Sequence, residues 1–290
     1  MLNLRMVEFY ITNRCNLDCN YCNRLNNYNF KGQYELDPYK QLYKKWSNIL
    51  QIEKIALLGG EPLLHKDLFN WISFLNKIWP QSKIEIVTNG TILNKVKNLY
   101  SFITSIDTKV LLDINVHNFD ELDKINNGVK QFLNNNFQCL PTGDVRYDNF
   151  YKHKNLEIIV RKATAQHQSV IQNTNKGLYV HNSDPSQAHS ICTMKFCHHF
   201  VNGKLYKCGI PIVVKEFAKQ YHVNLTEDQK EILKNDVGLC VDDVKDMDQQ
   251  ELNDTIRNQP IPHCNFCPDK LIYNDIQAKS GYTKLDITTV

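Results

Sequence analysis

The 290-residue chain predicts an α/β protein, a partial (β/α)6 TIM-like barrel with a small C-terminal cysteine-rich domain. Three observations carry that expectation. From Met6 to Val160, short β-rich apolar runs alternate with stretches of helical periodicity, the spacing of βαβ units with parallel strands. Several of these runs end in glycine, asparagine or cysteine motifs, where a parallel barrel keeps its working loops. From about Asp184 the character changes, and six cysteines follow: Cys192, Cys197, Cys208, Cys240, Cys264 and Cys267.

In chain order, a strand-like run over Met6–Thr12 leads into a polar loop, Asn13–Asn29, that holds three cysteines. A helix is expected over Pro38–Leu50, with Leu42, Trp46, Ile49 and Leu50 on one face, Pro38 in its first turn and Asp37 as cap. The strand Lys54–Leu58 runs into Gly59-Gly60-Glu61-Pro62. A second helix covers Leu68–Ile78, and the strand Lys83–Thr88 ends at Asn89-Gly90. A weaker helix follows over Asn94–Phe102, then a strand over Lys109–Val116 and a helix near Phe119–Leu133. Beyond Asn134 the pattern blurs. Leu156–Val160 reads as a further strand and Gly177–His181 as a sixth. Phe200–Lys207 resembles a hairpin turning at Asn202-Gly203. The expected division is a barrel over 1–183, a cysteine-rich domain over 184–275 and a tail over 276–290.

Apolar residues make up 42% of the chain, enough for a sizeable core, and the net charge is only +3. Basic residues are scattered rather than gathered on one face, so a nucleic-acid partner is not expected. No apolar run is long enough to span a bilayer, and Met1–Tyr10 lacks the layout of a signal peptide. A cytoplasmic location follows as an expectation. In that compartment the ten cysteines read as metal or cluster ligands rather than disulfides.

Cys15, Cys19 and Cys22 have the spacing C-x3-C-x2-C. Three thiolates on one compact loop can hold three irons of a cubane and leave the fourth without a protein ligand. Catalytic metals keep such an open position. The alternatives are three buried cysteines or a zinc knuckle lacking one ligand. In Leu111–His117, Asp113, Asn115 and His117 alternate with Leu112, Ile114 and Val116. Parallel strands are normally buried on both faces, so a polar row there suggests a lined cavity; the alternative is a solvent-facing edge strand. Glu157 and Arg161 likewise share a face.

The three-cysteine loop after the first strand, with Tyr21 before the third cysteine, resembles the radical S-adenosylmethionine (SAM) superfamily. Gly59-Gly60-Glu61-Pro62 at the end of the second strand looks like that family's GGEP motif. The resemblance implies that Cys15, Cys19 and Cys22 hold a catalytic [4Fe–4S] cluster whose open iron is chelated by the SAM amine and carboxylate. One-electron reduction then yields methionine and a 5′-deoxyadenosyl radical, which removes a hydrogen atom from substrate. It further implies that Tyr21, Gly59, Gly60 and Glu61 lie against SAM and that Asn89 stands where ribose is often contacted; the polar row adds Asp113 as a candidate cofactor contact, and Arg161 is a candidate partner of the SAM carboxylate, with a surface ion as the alternative. An external one-electron donor such as flavodoxin or ferredoxin is implied as a partner.

Cys192, Cys208, Cys264 and Cys267 have the spacing C-x15-C-x55-C-x2-C, and four thiolates saturate a cubane. A hairpin carrying one ligand, closed by a later CxxC, resembles the auxiliary-cluster domains called twitch and SPASM and implies a second [4Fe–4S] cluster. A zinc site is the alternative. Cys197 stands as an alternative ligand to Cys192 or as a group near substrate. Cys139 and Cys240 stand alone and default to core packing, although Cys139 or Cys197 could serve as a thiol hydrogen donor. The whole layout is similar in plan to aminocyclitol dehydrogenases. The expected substrate is a small polar molecule, such as a sugar, aminocyclitol or nucleotide-linked sugar, undergoing oxidation or epimerisation. A peptide substrate is the alternative, and a non-catalytic zinc or iron–sulfur protein is the rival outside enzymology.

Overall fold

Apolar, β-branched runs and amphipathic helices alternate as β1 (Leu2–Thr12), α1 (Lys40–Ser47), β2 (Leu50–Gly59), α2 (Leu68–Ile78), β3 (Lys83–Thr88), α3 (Leu99–Ser105), β4 (Val110–Val116) and α4 (Leu122–Phe132). β5 (Gln138–Leu140), β6 (Tyr147–His153) and β7 (Leu156–Lys162) follow. The computed structural model describes residues 1–28, 30–140, 147–163, 166–167, 169–270 and 273–274. The expected tail, 276–290, lies outside the described residues.

β1, β2, β3, β4 and β7 lie side by side and parallel in that order, and β6 and β5 extend the β7 edge antiparallel. Register explains the two faces. Val7, Ile55, Ile84, Val110 and Leu156 form one row across the five parallel strands. The neighbouring row is Glu8, Ala56, Glu85, Leu111 and Glu157. Successive strand residues point to opposite faces, so the first row joins the core with the helices and the second faces inward. On the outer side Trp46, Trp71 and Trp79 are buried against the sheet. Their bulk accounts for much of that core's apolar area, and Trp79 Nε1 also donates to Leu50 O at 2.8 Å.

The C-terminal part holds β8 (Gln166–His167), β9 (Ile171–Thr174), β10 (Gly177–Val180), α5 (Pro185–Ser190), β11 (His198–Val201) and β12 (Lys204–Tyr206). After these come α6 (Ile210–Gln220), β13 (Val223–Asn224), α7 (Glu227–Lys234), α8 (Val241–Val244), α9 (Gln249–Asn253) and β14 (Tyr273–Asn274). The β11–β12 hairpin turns at Asn202 (φ 50°) and Gly203 (φ 77°), the left-handed pair that a two-residue turn needs. β11 lies parallel to β1, pairing Val7 with His198 and Glu8 with His199.

The sixth parallel strand is therefore β11, not Gly177–His181. β10 belongs to a separate three-stranded sheet with β9 and β13. The expected helix over Pro38–Leu50 is also shorter. Asp37–Tyr39 is a 3-10 turn, Leu50 opens β2, and Asp37 makes no cap bond but pairs with Lys40 at 2.6 Å. Among the described residues no helix is long and apolar enough to cross a membrane.

Candidate active site

The inward face of the sheet opens on a cavity of about 680 Å³. The loop after β1, Gly59 and Gly60 after β2, Asn89 after β3, His117 after β4 and Lys162 at the end of β7 all line it. These are the C-terminal strand ends, where parallel barrels place their chemistry. Cys15, Cys19 and Cys22 lie in one part of the wall. Cys192, Cys197, Cys208, Cys264 and Cys267 lie in another.

The cysteine loop is braced against the β2 turn. Gly60 N donates to Thr12 O and Glu61 N to Arg14 O, both at 2.7 Å. A Cβ on Gly59 would stand 2.1 Å from Thr12 O, and one on Gly60 would stand 2.3 Å from Arg14 O. The two glycines are thus required by the approach of the cysteine loop itself. With both N–H donors engaged there, the turn has acceptors left to offer, the complement of an ammonium group. Leu17 N donates to Cys15 Sγ at 3.4 Å, a bond that favours a thiolate. Burial, then the neighbouring Cys22 and Cys15, push the Cys19 thiol far up. The Cys19 thiol therefore ionises beside added positive charge, which bound iron would supply.

Glu61 does something other than expected. Its side chain is fully buried and does not line the cavity. It accepts from Leu63 N (3.0 Å), Thr88 Oγ1 (2.7 Å) and Asn89 N (2.8 Å), tying the end of β2 to the end of β3. Burial raises its carboxyl to about 7 against the pull of these donors. It is a strut, not a ligand contact. Asn89 does line the cavity, but its amide is engaged with Asn16 (3.0 Å) and Thr91 (2.6 Å). Tyr21 lines the cavity and is 42% exposed, on left-handed backbone (φ 57°).

Deeper in, three ion pairs form the floor: Arg24–Glu8 (2.9 Å), Lys54–Glu85 (2.8 Å) and Arg161–Asp113 (2.5 Å). Burial raises the carboxyls of Glu8 and Asp113 in spite of their arginine partners. Burial, then Arg161, lowers His117 to about 4, so it is neutral near pH 7. Asp113 Oδ1, Arg161 Nε and His117 Nδ1 are buried with no hydrogen-bond partner among the described residues. Orphaned polar atoms of this kind call for a ligand. The polar row Asp113, Asn115 and His117 thus faces a cavity, not solvent. Glu157 lies in the inward row but does not line the cavity and pairs with Lys83 at 2.6 Å.

Sequence reading overlooked Glu8, Lys54, Glu85 and Arg24. The signal was present: Glu8 and Glu85 are the only acids of the apolar parallel strands β1 and β3, the same rule that picked out Asp113.

In the second group, Cys267 is influenced by Cys208, Cys264 and Cys192, and Cys208 by Cys264 and Cys192. These four therefore form one electrostatic cluster. Burial raises Cys208 to about 12 and also raises Cys264 and Cys267. Cys197 is also raised to about 12 by burial, but the charges it meets are chiefly Glu8, Arg24 and Lys54 of the floor. Cys139 does not line the cavity: it is exposed on β5 near the outer edge of the sheet, which contradicts both core packing and a role as hydrogen donor. Cys240 is half-exposed at the start of α8 rather than packed in the core. None of the ten cysteines forms a disulfide. Among the described residues no three His, Cys, Asp or Glu side chains are grouped to hold a single metal ion.

Fold and site define an enzyme of the parallel-sheet α/β class, with a polar-floored cavity and clustered cysteines in its wall. Residues 9–138, just under half of the chain, match the Radical SAM superfamily. The GTP 3′,8-cyclase of Staphylococcus epidermidis is 29% identical over 185 residues, 53% of each chain. That of Aquifex aeolicus is 36% identical over 99 residues, 32% of this chain and 30% of the relative. The probable GTP 3′,8-cyclase of Methanocaldococcus jannaschii is 31% identical over 137 residues, 45% and 46%. The chain therefore spans about half or less of the length of these curated relatives. Among solved structures, BtrN in complex with AdoMet and 2-DOIA is 24% identical with a TM-score of 0.30, covering 38% of this chain and 45% of that one.

Proposed function

We propose that this chain binds SAM and a [4Fe–4S] cluster at Cys15, Cys19 and Cys22, and removes a hydrogen atom from a small polar substrate held over the charged floor. The observation that carries the reading is the single cavity shared by both cysteine groups and the three floor ion pairs. When bound and reduced, the cluster supplies the electron that cleaves SAM to methionine and a 5′-deoxyadenosyl radical. The acceptors of the Gly59-Gly60 turn suit the SAM amine, and Glu61 acts behind them by fixing the β2 and β3 ends. Tyr21 shields the cavity mouth.

Cys192, Cys208, Cys264 and Cys267 would hold an auxiliary [4Fe–4S] cluster, with Cys197 outside that set. On this reading residues 1–183 supply five of the barrel's six parallel strands, and 184–275 form the auxiliary domain and lend the sixth, β11. The setting is cytoplasmic, with flavodoxin or ferredoxin as the electron source. Each floor cation is already paired with a carboxylate, and the lining histidines His117 and His199 are held neutral. A polyphosphate on the floor would meet Glu8, Glu85 and Asp113; Lys195 and Lys207, which also line the cavity, belong to the second cysteine group and not to the floor. An unphosphorylated sugar or aminocyclitol fits better: a hydroxyl can both donate to Asp113 Oδ1 and accept from Arg161 Nε. Oxidation is the favoured outcome. Epimerisation is the variant in which Cys197, in the cavity wall, returns a hydrogen atom.

A second reading, peptide modification, draws support from Met194 and Tyr21, both exposed yet lining the cavity. Anaerobic reconstitution tests these together. About eight irons per chain, for two cubanes, and 5′-deoxyadenosine formed from SAM and dithionite are expected. Zinc in place of iron, with no SAM cleavage, would sink the proposal. Turnover stimulated by aminocyclitols but not by GTP or peptides identifies the substrate class.

A further inference from the structure

Lys207 is a buried lysine, 6% exposed, at the end of the β12 hairpin and next to Cys208. Its Nζ donates to Ile256 O at 3.2 Å and Arg257 O at 2.8 Å, carbonyls of the π-helical turn Asp254–Asn258. Among the described residues no carboxylate forms an ion pair with it. Burial pulls its ammonium below the ordinary lysine range; of the charged groups around it, Cys264, Cys208 and Cys192 favour the ammonium and Lys195 opposes it. Two further histidines beside it, His189 and His198, feel Lys207 with Lys195 and with Arg257 respectively, and no acid. Lys207, Lys195 and Arg257 thus gather positive charge beside these thiols, and the two histidines between them are held neutral. A buried charge is costly unless it is paired, and two carbonyl dipoles leave the ammonium without a counter-anion. The missing anion is what a four-thiolate cluster provides.

We propose that Lys207 is the built-in counter-charge of the four-thiolate site: its fixed positive charge favours the reduced, more negative state of the cluster held there and raises that cluster's reduction potential. Lys207 would then help set how readily the site accepts an electron from the substrate. The inference rests on the auxiliary-cluster reading above. It concerns positioning and charge, not contact with the reacting atoms.

The test uses reconstituted wild type, Lys207→Met and Lys207→Arg, each followed by iron content and by redox titration monitored by EPR. In Lys207→Met the auxiliary cluster is expected to fall in potential by at least 59 mV, a tenfold shift in a one-electron equilibrium. Lys207→Arg should stay near wild type, and the cluster at Cys15–Cys22 should be unmoved in both. Selective loss of the auxiliary cluster in Lys207→Met, with Lys207→Arg intact and the first cluster retained, supports the same role. An unchanged auxiliary potential in a Lys207→Met protein that carries both clusters overturns it. Wild type holding only about four irons removes the auxiliary cluster itself and this role with it.

Discussion

The Cys15–Cys22 loop and the Cys192–Cys267 set reach the same cavity by different routes. The first takes its three sulfurs from one loop of eight residues, braced by two backbone hydrogen bonds to the β2 turn. The second collects four sulfurs from the segment after α5, the end of the β12 hairpin, and the 3-10 turn Pro262–Phe266 with the residue after it. The first set is half-buried beside the cavity mouth. In the second, Cys264 is buried and burial is the main cause raising Cys208 and Cys267. A local loop can leave one coordination position open. A site assembled from distant segments closes on its contents and depends on the whole fold to exist.

Substitutions can break that contrast. The largest effect is expected for Cys19→Ser, which should lose about half the iron, one cubane of two, and reduce 5′-deoxyadenosine formation more than about 100-fold, roughly 2.7 kcal/mol or more of barrier. Retained SAM cleavage would remove the open-site assignment. Cys264→Ser should also lose about half the iron but keep SAM cleavage while substrate turnover collapses. Equal loss of both activities would mean the two groups are not separable.

Next, Cys192→Ser and Cys197→Ser sharpen the ligand set. The first should lose the auxiliary cluster's visible absorption and the second should keep it; the reverse result exchanges the two cysteines. Gly60→Ala drives a methyl group toward Arg14 O, 2.3 Å from the ideal Cβ position. Overpacking of this kind costs about 1–3 kcal/mol, readable as a lower urea midpoint in the cluster-free protein.

The smallest effect is on pH dependence. Burial raises Glu61 from 4.5 to about 7 in the folded chain. The native state then holds a proton that the unfolded state releases, so this group's contribution to stability is fully present below about pH 4.5 and is lost as pH rises toward 7. Glu61→Gln, which cannot ionise, should flatten the Tm-versus-pH curve across that window. An unchanged slope would place the titration elsewhere.

Much of the barrel was legible because its signals are local. α2 spans the Leu68–Ile78 predicted from periodicity, and β3 the predicted Lys83–Thr88. The hairpin at Asn202-Gly203 followed from turn chemistry alone. What escaped was non-local. Whether a strand such as Gly177–Val180 joins one sheet or another is decided by what packs beside it, not by its own residues. Glu61 shows the same limit at the site. The sequence placed it at the right turn, yet only tertiary contact reveals that its carboxylate points to Thr88 and Asn89 and away from the cavity.

The pairing of β11 with β1 also shapes how this chain must be made. β1 waits for a partner that lies some 190 residues later, so one flank of the parallel sheet stays uncapped until that segment has been made. Bare strand edges invite pairing with other chains, and contacts so distant in sequence form slowly. The hairpin that carries His199 also docks on α1, where Trp46 Nε1 donates to Gly203 O at 2.9 Å and Gly203 N to Tyr43 Oη at 3.1 Å. A chain cut after residue 183 would leave that flank open and two buried aromatic polar groups unmatched, and would tend to aggregate instead of standing as a smaller enzyme.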